Sequence, residues 1–188
     1  MLASFFRRIL SPGTSRPDGP EADLYESIVA RSRDPIFYQS FGVPDTVEGR
    51  YELLVLHGYA VMSRLKECGE EAEALNQRLF DLVFSDMDDN LRELGVSDLK
   101  VGVKVKKLAQ AFYGRAVAYE NGLAADDRAE LDDAIARNVF GTADPAEGHV
   151  GAMADYLRTT VDRLAGQPIK ELLAGNVDFG PLELPSRV

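Results

Sequence analysis

The chain has 188 residues, of which 45% are hydrophobic and 28% are charged, and this composition fits one folded domain with a single core. Its 31 acidic and 21 basic residues give a net charge of −10, which disfavours general binding to DNA because phosphate backbones are repelled. Cys68 is the single cysteine, so an intramolecular disulfide and a cysteine metal cluster are excluded. No apolar run reaches the roughly 18–20 residues that a membrane-spanning helix needs, and no span is predicted.

The first ten residues carry an amphipathic pattern. Apolar residues recur at helical spacing, while Arg7 and Arg8 lie off the apolar stripe. The pattern is typical of a short helix on a membrane surface, and a mobile tail, a segment packed on its own domain and organellar targeting stay open as alternatives. Proline and glycine in 11–20 indicate a linker, so residues 1–20 are predicted to form a flexible tip and linker. The predicted membrane-surface residues are Leu2, Phe5, Phe6 and Ile9.

The body of the chain reads as a series of helices, because turn signals cut it into helical lengths and no alternating β-branched run indicates a strand. A first helix is predicted over about 23–39, bent where Pro35 removes a hydrogen-bond donor. Asp45 and Glu48 predict a capping box that begins a second helix. That helix is apolar nearly all round, so we expect it to be central or to contact a partner.

The third predicted helix covers 70–94 and ends at Gly95. Ser97 is predicted to cap a fourth helix that ends near residue 121. Three further helices are predicted at 126–140, 146–164 and 168–173. The expected fold class is therefore all-α, with a single compact helical domain of about six to seven helices over residues 21–175. Residues 176–188 are predicted to form an extended C-terminal tail.

Acidic residues gather near the end of the third predicted helix. Asp86, Asp88 and Asp89 suggest a divalent cation, because hard cations bind several carboxylate oxygens. A calcium loop does not fit, since Leu91 replaces the required glycine and Ser97 the final glutamate. A magnesium-dependent diphosphate enzyme remains an alternative, although no second acidic motif faces the first. A solvated or ion-paired helix face is the simpler interpretation.

The fourth predicted helix combines a core stripe with two other faces. A basic flank is formed by Lys100, Lys104, Lys107 and Arg115. Opposite the core lie Val103, Tyr113 and Val117. A basic edge beside a partly aromatic face suits a partner surface, and the alternative is that the lysines cover the core while Tyr113 packs on a neighbouring helix. Gly114 inside the helix predicts a close helix crossing.

No catalytic set is evident, and neither an enzyme activity nor a cofactor is predicted. His57 and His149 are the two histidines, and they do not form a His-x-x-x-His pattern. We expect His57 to pack between helices with Arg50 and Arg64 disfavouring its protonation. A nucleophile elbow, a glycine-rich phosphate loop and a zinc motif are absent from the sequence.

Seven ordered blocks between residues 25 and 119 are more specific than any single motif. They are YESIVAR (25–31), FY (37–38), GVPDTVEGRYELLVLH (42–57), DMD (86–88), LRELGVSDL (91–99), VGVKVK (101–106) and AFYGRAVAY (111–119). Together they resemble the ubiquinol-cytochrome c chaperone family, with a weak match beyond Gly122. The resemblance implies a non-enzymatic assembly factor for the cytochrome bc1 complex, whose mitochondrial members bind newly made cytochrome b, contact the ribosome and act with a second small subunit.

The resemblance also implies a cellular location and a set of partners. The short tip resembles that of a bacterial member, cytoplasmic and peripheral on the inner face of the inner membrane. Expected partners are cytochrome b or another bc1 subunit, the ribosome and the membrane surface, but not DNA. A peripheral helical scaffold with another client remains an alternative. The predicted partner-binding residues are Asp86, Asp88, Arg92, Lys100, Lys104, Lys107, Tyr113 and Arg115.

Overall fold

A computed structural model describes residues 18–182, and all regular secondary structure in that part of the chain is helical. The helices are, in chain order, α1 (Pro20–Ser32), α2 (Pro35–Gln39), α3 (Val47–Lys66), α4 (Glu70–Glu93), α5 (Asp98–Ala124), α6 (Ala129–Ile135), α7 (His149–Gly166) and α8 (Ile169–Leu173). A π-helical turn, Ala136–Phe140, continues α6. The prediction of an all-α domain is confirmed.

Helix α3 lies at the centre of the domain. It contacts α1, α4, α5, α7 and the π-helical turn, so apolar side chains on all its sides find partners. Leu53, Leu56 and Val61 are fully buried although they point in different directions. Burying each such side chain contributes about 1.5–3 kcal/mol, which explains why a helix apolar nearly all round is stable here. The expected central position of this helix is confirmed.

The chain between 23 and 39 forms two helices and not one bent helix. The Asp34 side chain accepts a hydrogen bond from the Ile36 backbone N–H at 3.1 Å and caps α2, with Pro35 at its first position. Proline suits this position because its missing N–H would have no helical partner there. Pro35 therefore begins a new helix, and the prediction of a bend at this residue is wrong.

The cap of α3 also lies one residue later than predicted. The Thr46 side chain accepts a hydrogen bond from the Gly49 N–H at 3.1 Å, while Asp45 bonds the Arg50 guanidinium at 2.6 Å. A Cβ at Gly49 would lie 2.1 Å from the Pro44 carbonyl oxygen, so glycine lets the chain turn tightly into the helix. The predicted capping box of Asp45 and Glu48 is therefore wrong.

Helices α4 and α5 form a hairpin at Gly95. Its φ of 78° lies in the left-handed region, and the N–H groups of Gly95 and Val96 donate to the carbonyls of Arg92 and Leu91. This is the arrangement that ends a helix at glycine, as predicted. Ser97 occupies the N-cap position of α5, but its side chain makes no capping hydrogen bond.

The close helix crossing lies at Gly122 and not at Gly114. A Cβ at Gly122 would lie 2.7 Å from the Leu131 Cα, so glycine lets α5 approach the start of α6. At Gly114 an added Cβ would meet no atom within 4 Å among the described residues, because this position faces away from the domain. The predicted role of Gly114 is wrong.

The C-terminal segment returns to the core after α8. Phe179 is buried, and its ring centroid lies 5.4 Å from that of His57. Residues 183–188 lie outside the described part, as do residues 1–17 with the predicted membrane-surface residues Leu2, Phe5, Phe6 and Ile9. Within residues 18–182, no helix has both the length and the apolar composition needed to cross a bilayer.

Candidate partner-binding surface

His57 is a packing residue at the centre of the domain. Its Nδ1 lies 2.7 Å from the Leu53 carbonyl oxygen, which can only accept, so Nδ1 carries the proton and Nε2 accepts from the Tyr156 hydroxyl at 2.8 Å. Burial lowers the pKa of His57 to about 3. The nearby positive charge that adds to this effect is Arg31, so the predicted influence of Arg50 and Arg64 is wrong. The packing role expected for His57 is confirmed.

An ion pair fastens the inner side of α5 to α3. The Arg115 Nε and Nη2 donate to the two carboxylate oxygens of Glu52 at 2.5 Å, and Nη1 donates to the Ala111 carbonyl at 3.1 Å. Burial raises the pKa of the Glu52 carboxyl, and the hydrogen bonds from Arg115 oppose that rise. Arg115, predicted to contact a partner, is thus committed to a contact inside this chain.

The outer side of α5 carries exposed apolar residues. Leu99, Val103, Tyr113 and Val117 are between 54% and 91% exposed, and their spacing places them on one face of the helix. Large apolar side chains this exposed are unusual as a group on a monomer, although single ones are ordinary. They form two apolar pairs, Leu99 with Val103 and Tyr113 with Val117, which lie about 15 Å apart along the helix with Lys106 and Gln110 between them. Two exposed apolar pairs on one helix face indicate a contact surface.

Three lysines lie beside this apolar face. Lys100, Lys104 and Lys107 are exposed, and none of them has an ion pair with the described residues. Helix α5 carries a single acid, Asp98, between its start and Arg115, and that acid pairs with Arg92. The lysine charges are therefore not neutralised within the described chain and can meet an anionic partner.

The predicted acidic residues divide between surface and interior. Asp88 is half-buried and pairs with Arg92, which also reaches Asp98 at the start of α5. Asp86 accepts hydrogen bonds from the Tyr25 hydroxyl at 2.8 Å and from the Asn90 amide at 2.9 Å, so it supports the packing of α1 on α4. Among residues 18–182, no group of three or more histidine, cysteine, aspartate or glutamate side chains is arranged to hold a metal.

A groove of about 680 Å³ adjoins the exposed face and was not predicted from the sequence. It lies between α3, α4, α5 and α7, and Tyr113 and Val117 belong both to its wall and to the exposed face. Phe80 lies with its ring centroid 5.3 Å from that of Tyr113 and 5.9 Å from that of Phe112. The sequence pattern did not reveal this groove, because four separate helices contribute its lining.

The eight residues predicted for the partner surface are therefore not equivalent. Arg92, the three lysines and Tyr113 are exposed, and helical spacing places Tyr113 on a different side of α5 from the lysines. Asp86 and Arg115 are bonded inside the domain. The sequence interpretation did not include Leu99, the most exposed large apolar side chain of the described residues.

Comparison with known proteins gives consistent matches over most of the chain. Residues 39–179 match the family model described as ubiquinol-cytochrome C chaperone, so the similarity continues well beyond Gly122. The crystal structure of the Cbp3 homolog from Brucella abortus is similar with a TM-score of 0.77 and 35% sequence identity, over 96% of this chain and 97% of that one.

Two curated animal relatives are more distant. Ubiquinol-cytochrome-c reductase complex assembly factor 1 from Xenopus laevis is 23% identical over 162 residues, which cover 85% of this chain and 80% of that protein. The human protein of the same name is also 23% identical over 162 residues. There the match covers 53% of the human protein, so this chain spans about half of its length.

Proposed function

The chain belongs to the ubiquinol-cytochrome c chaperone family, and we propose that it binds newly made cytochrome b during assembly of the cytochrome bc1 complex. The family supports the general role of an assembly chaperone for ubiquinol-cytochrome c reductase, which is the bc1 complex. Under this proposal the protein acts by holding its client and does not catalyse a reaction. The bc1 components are its partners, at the cytoplasmic face of the inner membrane.

The observation that carries the proposal is the exposed face of α5. A membrane protein that has just been made presents apolar helices to water until it is inserted and joined to its partner subunits. The exposed face offers Leu99, Val103, Tyr113 and Val117 to such a helix, and burial of their surface provides the driving force. A soluble domain gains nothing for its own fold from apolar side chains in water.

The lysines beside this face extend the proposal to charged partners. Lys100, Lys104 and Lys107 can contact anionic lipid headgroups or ribosomal RNA close to the place where the client emerges. The net charge of −10 on the whole chain opposes adhesion of its other surfaces to the same anionic partners. The contact is therefore restricted to this edge of the hairpin.

An affinity measurement tests the proposal directly. The tagged protein is recovered from a respiring bacterial host with a bc1 complex, and cytochrome b is quantified by mass spectrometry against the same host with an unrelated tagged protein. We expect cytochrome b to be enriched by the wild-type chain and to be lost with Lys100→Glu/Lys104→Glu, by about tenfold or more if two charged contacts are reversed.

A matched control separates local contact from total charge. Arg137→Glu/Lys170→Glu changes two exposed basic residues outside α5 and produces the same change in net charge. This control is expected to capture as much cytochrome b as wild type. Equal losses in the two double variants would contradict the assignment to α5, and absence of cytochrome b from the wild-type sample would contradict the client.

The magnesium–diphosphate alternative has no supporting observation in the geometry. It would need the Asp86 and Asp88 carboxylates to turn together toward one cation. Instead Asp86 is bonded to Tyr25 and Asn90, and Asp88 is paired with Arg92. Calorimetry with magnesium and a prenyl diphosphate is expected to show no saturable heat of binding.

A further inference from the structure

A pocket with two arginines lies where the chain passes from the end of α1 through α2 into α3. Its volume is about 310 Å³, less than half that of the groove beside α5. The guanidinium group has a planar set of donors that matches the oxygens of phosphate and carboxylate groups. The lining consists of Arg33, Pro35, Tyr38, Gln39, Asp45 and Arg50.

Arg33 is a cation without a partner in the described part of the chain. Its Nη2 is buried and has no hydrogen-bond acceptor there. None of its nitrogen atoms lies within 4 Å of a carboxylate oxygen of residues 18–182. A buried charged donor without an acceptor costs free energy, and native proteins leave few such groups. Its position in the wall of a pocket therefore indicates that an acceptor binds from outside the chain.

Arg50 is held in the same wall by its neighbours. Its Nε and Nη2 lie 2.6 Å from the Asp45 Oδ1, and its guanidinium carbon lies 5.7 Å from the centroid of the Tyr38 ring. The Tyr38 hydroxyl in turn donates to the Ser32 carbonyl at 2.9 Å, at the end of α1. These contacts place the second positive charge before any ligand binds, so little side-chain freedom is lost on binding.

The charges of the lining leave an excess of one positive charge. Asp45 is the single acid among the lining residues and offsets one of the two arginines. Tyr38 is neutral at pH 7, because burial raises its pKa to about 12. Burial lowers the pKa of Arg33, nearby Arg50 lowers it further, and Asp86 opposes this less strongly than Arg50 promotes it. An anion in the pocket would meet a net attraction.

We propose that this pocket binds a phosphate group, carried by a small soluble ester or by an anionic lipid headgroup. A phosphate has more acceptor oxygens than a carboxylate, and they point in different directions, so it can accept from Arg33 while the charge of Arg50 attracts it. The Gln39 amide and the faces of Pro35 and Tyr38 are left for the organic part of the ligand. The volume lies at the lower end of the range for small-molecule sites, which fits a small ester.

The site is separate from the surface assigned to the client. Its lining comes entirely from positions 33 to 50, whereas the exposed apolar face and the lysines belong to α5. The inference therefore does not depend on the proposed function, and the experiments use the full-length protein without a client.

Titration calorimetry in chloride buffer tests the site with inorganic phosphate and with glycerol 3-phosphate. We expect saturable binding of one phosphate per chain by the wild-type protein. Arg33→Met removes a charged donor and should weaken binding about tenfold or more. Arg137→Met removes the same charge from an exposed position outside the pocket and should leave the affinity unchanged.

A second pair of variants keeps both arginines. Gln39 is exposed, so Gln39→Glu adds a negative charge to the lining without disturbing the core, and repulsion should weaken phosphate binding. Gln110→Glu makes the same change at an exposed position of α5 and should bind phosphate as the wild type does. Equal affinities in Gln39→Glu and Gln110→Glu would overturn the proposal.

Thermal unfolding gives an independent measurement. In chloride, Arg33→Met replaces an unpaired cation by an apolar side chain, so its Tm should equal or exceed that of the wild type. Phosphate should then raise the Tm of the wild type and of Arg137→Met more than that of Arg33→Met. This comparison removes the general stabilisation that phosphate gives to proteins. A Tm lower by several degrees for Arg33→Met in chloride would mean that the fold uses Arg33, and would overturn the proposal.

Vesicles separate the two sources of the phosphate. Sedimentation compares phosphatidylglycerol vesicles with neutral phosphatidylcholine vesicles. Binding to phosphatidylglycerol that is lost in Arg33→Met and retained in Lys100→Ser/Lys104→Ser would identify a lipid headgroup. Glycerol 3-phosphate binding that requires Arg33, together with vesicle binding that does not, would identify a soluble ester. The proposal is wrong if neither kind of binding depends on Arg33.

Discussion

The inner and outer sides of α5 differ in how far their side chains are buried and paired within the chain. On the inner side the side chains are buried or paired within the chain: Phe112 and Tyr119 are buried, Arg115 is paired with Glu52, and Gly122 lies against Leu131. On the outer side apolar residues remain more than half exposed, and an added Cβ at Gly114 would meet nothing within 4 Å among the described residues.

This difference separates the residues that make the fold from those left for binding. Burial and pairing on the inner side account for the position of α5 in the domain. The outer side contributes little to stability, because its apolar side chains are in water in the isolated chain. Substitutions on the inner side should therefore lower the stability of the fold. Substitutions on the outer side should lower client binding and leave stability nearly unchanged.

The strongest test of the inner side is the Glu52–Arg115 pair. Glu52→Ala leaves the Arg115 cation part-buried without its carboxylate, and we expect the free energy of unfolding to fall by about 3 kcal/mol or more. Urea denaturation measures the change. The double variant Glu52→Leu/Arg115→Met removes both charges and should recover much of the loss. A decrease below about 1 kcal/mol in Glu52→Ala would show that the pair does not hold α5 on α3.

The two glycines compare the inner and outer sides with the same substitution. Gly122→Ala places a Cβ 2.7 Å from the Leu131 Cα and is expected to cost about 1–3 kcal/mol from overpacking. Gly114→Ala meets no atom within 4 Å and should stabilise the helix by about 0.5–1 kcal/mol. Thermal or urea unfolding of the two variants gives the difference. Similar effects from both would mean that α5 does not present the sides described.

On the inner side, the buried neutral His57 gives the stability a measurable dependence on pH. Its folded pKa of about 3 lies below the ordinary value of 6.5, so the unfolded chain binds more protons between these values and stability falls as the pH falls. From pH 7 to pH 5 this contributes a loss of about 1.5–2 kcal/mol. Urea denaturation of His57→Gln should show a pH dependence smaller by that amount, whereas equal dependences would contradict a neutral buried histidine.

The smallest effect on stability is expected on the outer side. Leu99→Ser/Val103→Ser should change the free energy of unfolding by no more than about 0.5 kcal/mol, because both side chains are exposed. The same variant should capture clearly less cytochrome b than wild type in the affinity measurement. A large loss of stability would assign these side chains to the fold, and unchanged capture with unchanged stability would remove them from the proposed surface.

Much of the fold could be predicted from local pattern. The apolar stripe of α4 and the apolar residues around α3 recur over several helical turns, so many residues support each prediction. The glycine after α4 marks its end. Caps and breaks were less certain because a single residue decides them. Asp45 and Thr46 can both accept a capping hydrogen bond at the start of α3, and the tight turn between Pro44 and Gly49 accompanies capping by Thr46.

The candidate site was predicted only in part, because some of its properties depend on contacts between distant segments and not on local pattern. The basic flank and Tyr113 follow from helical spacing on one element. The partners of Asp86 and Arg115 could not be predicted, since Tyr25 is 61 positions from Asp86 and Glu52 is 63 positions from Arg115. The groove could not be predicted, because its lining comes from four helices whose relative positions the local pattern does not give.

By itself the sequence determined the all-α class, the central helix, the family resemblance and the existence of a basic edge on α5, because these depend on periodicity, composition and ordered motifs within short stretches. Only the tertiary structure decided which charged residues are bonded inside the domain, which glycine permits a close crossing and where a groove opens. Those properties depend on distances between segments far apart in the chain, and local residue pattern does not encode such distances.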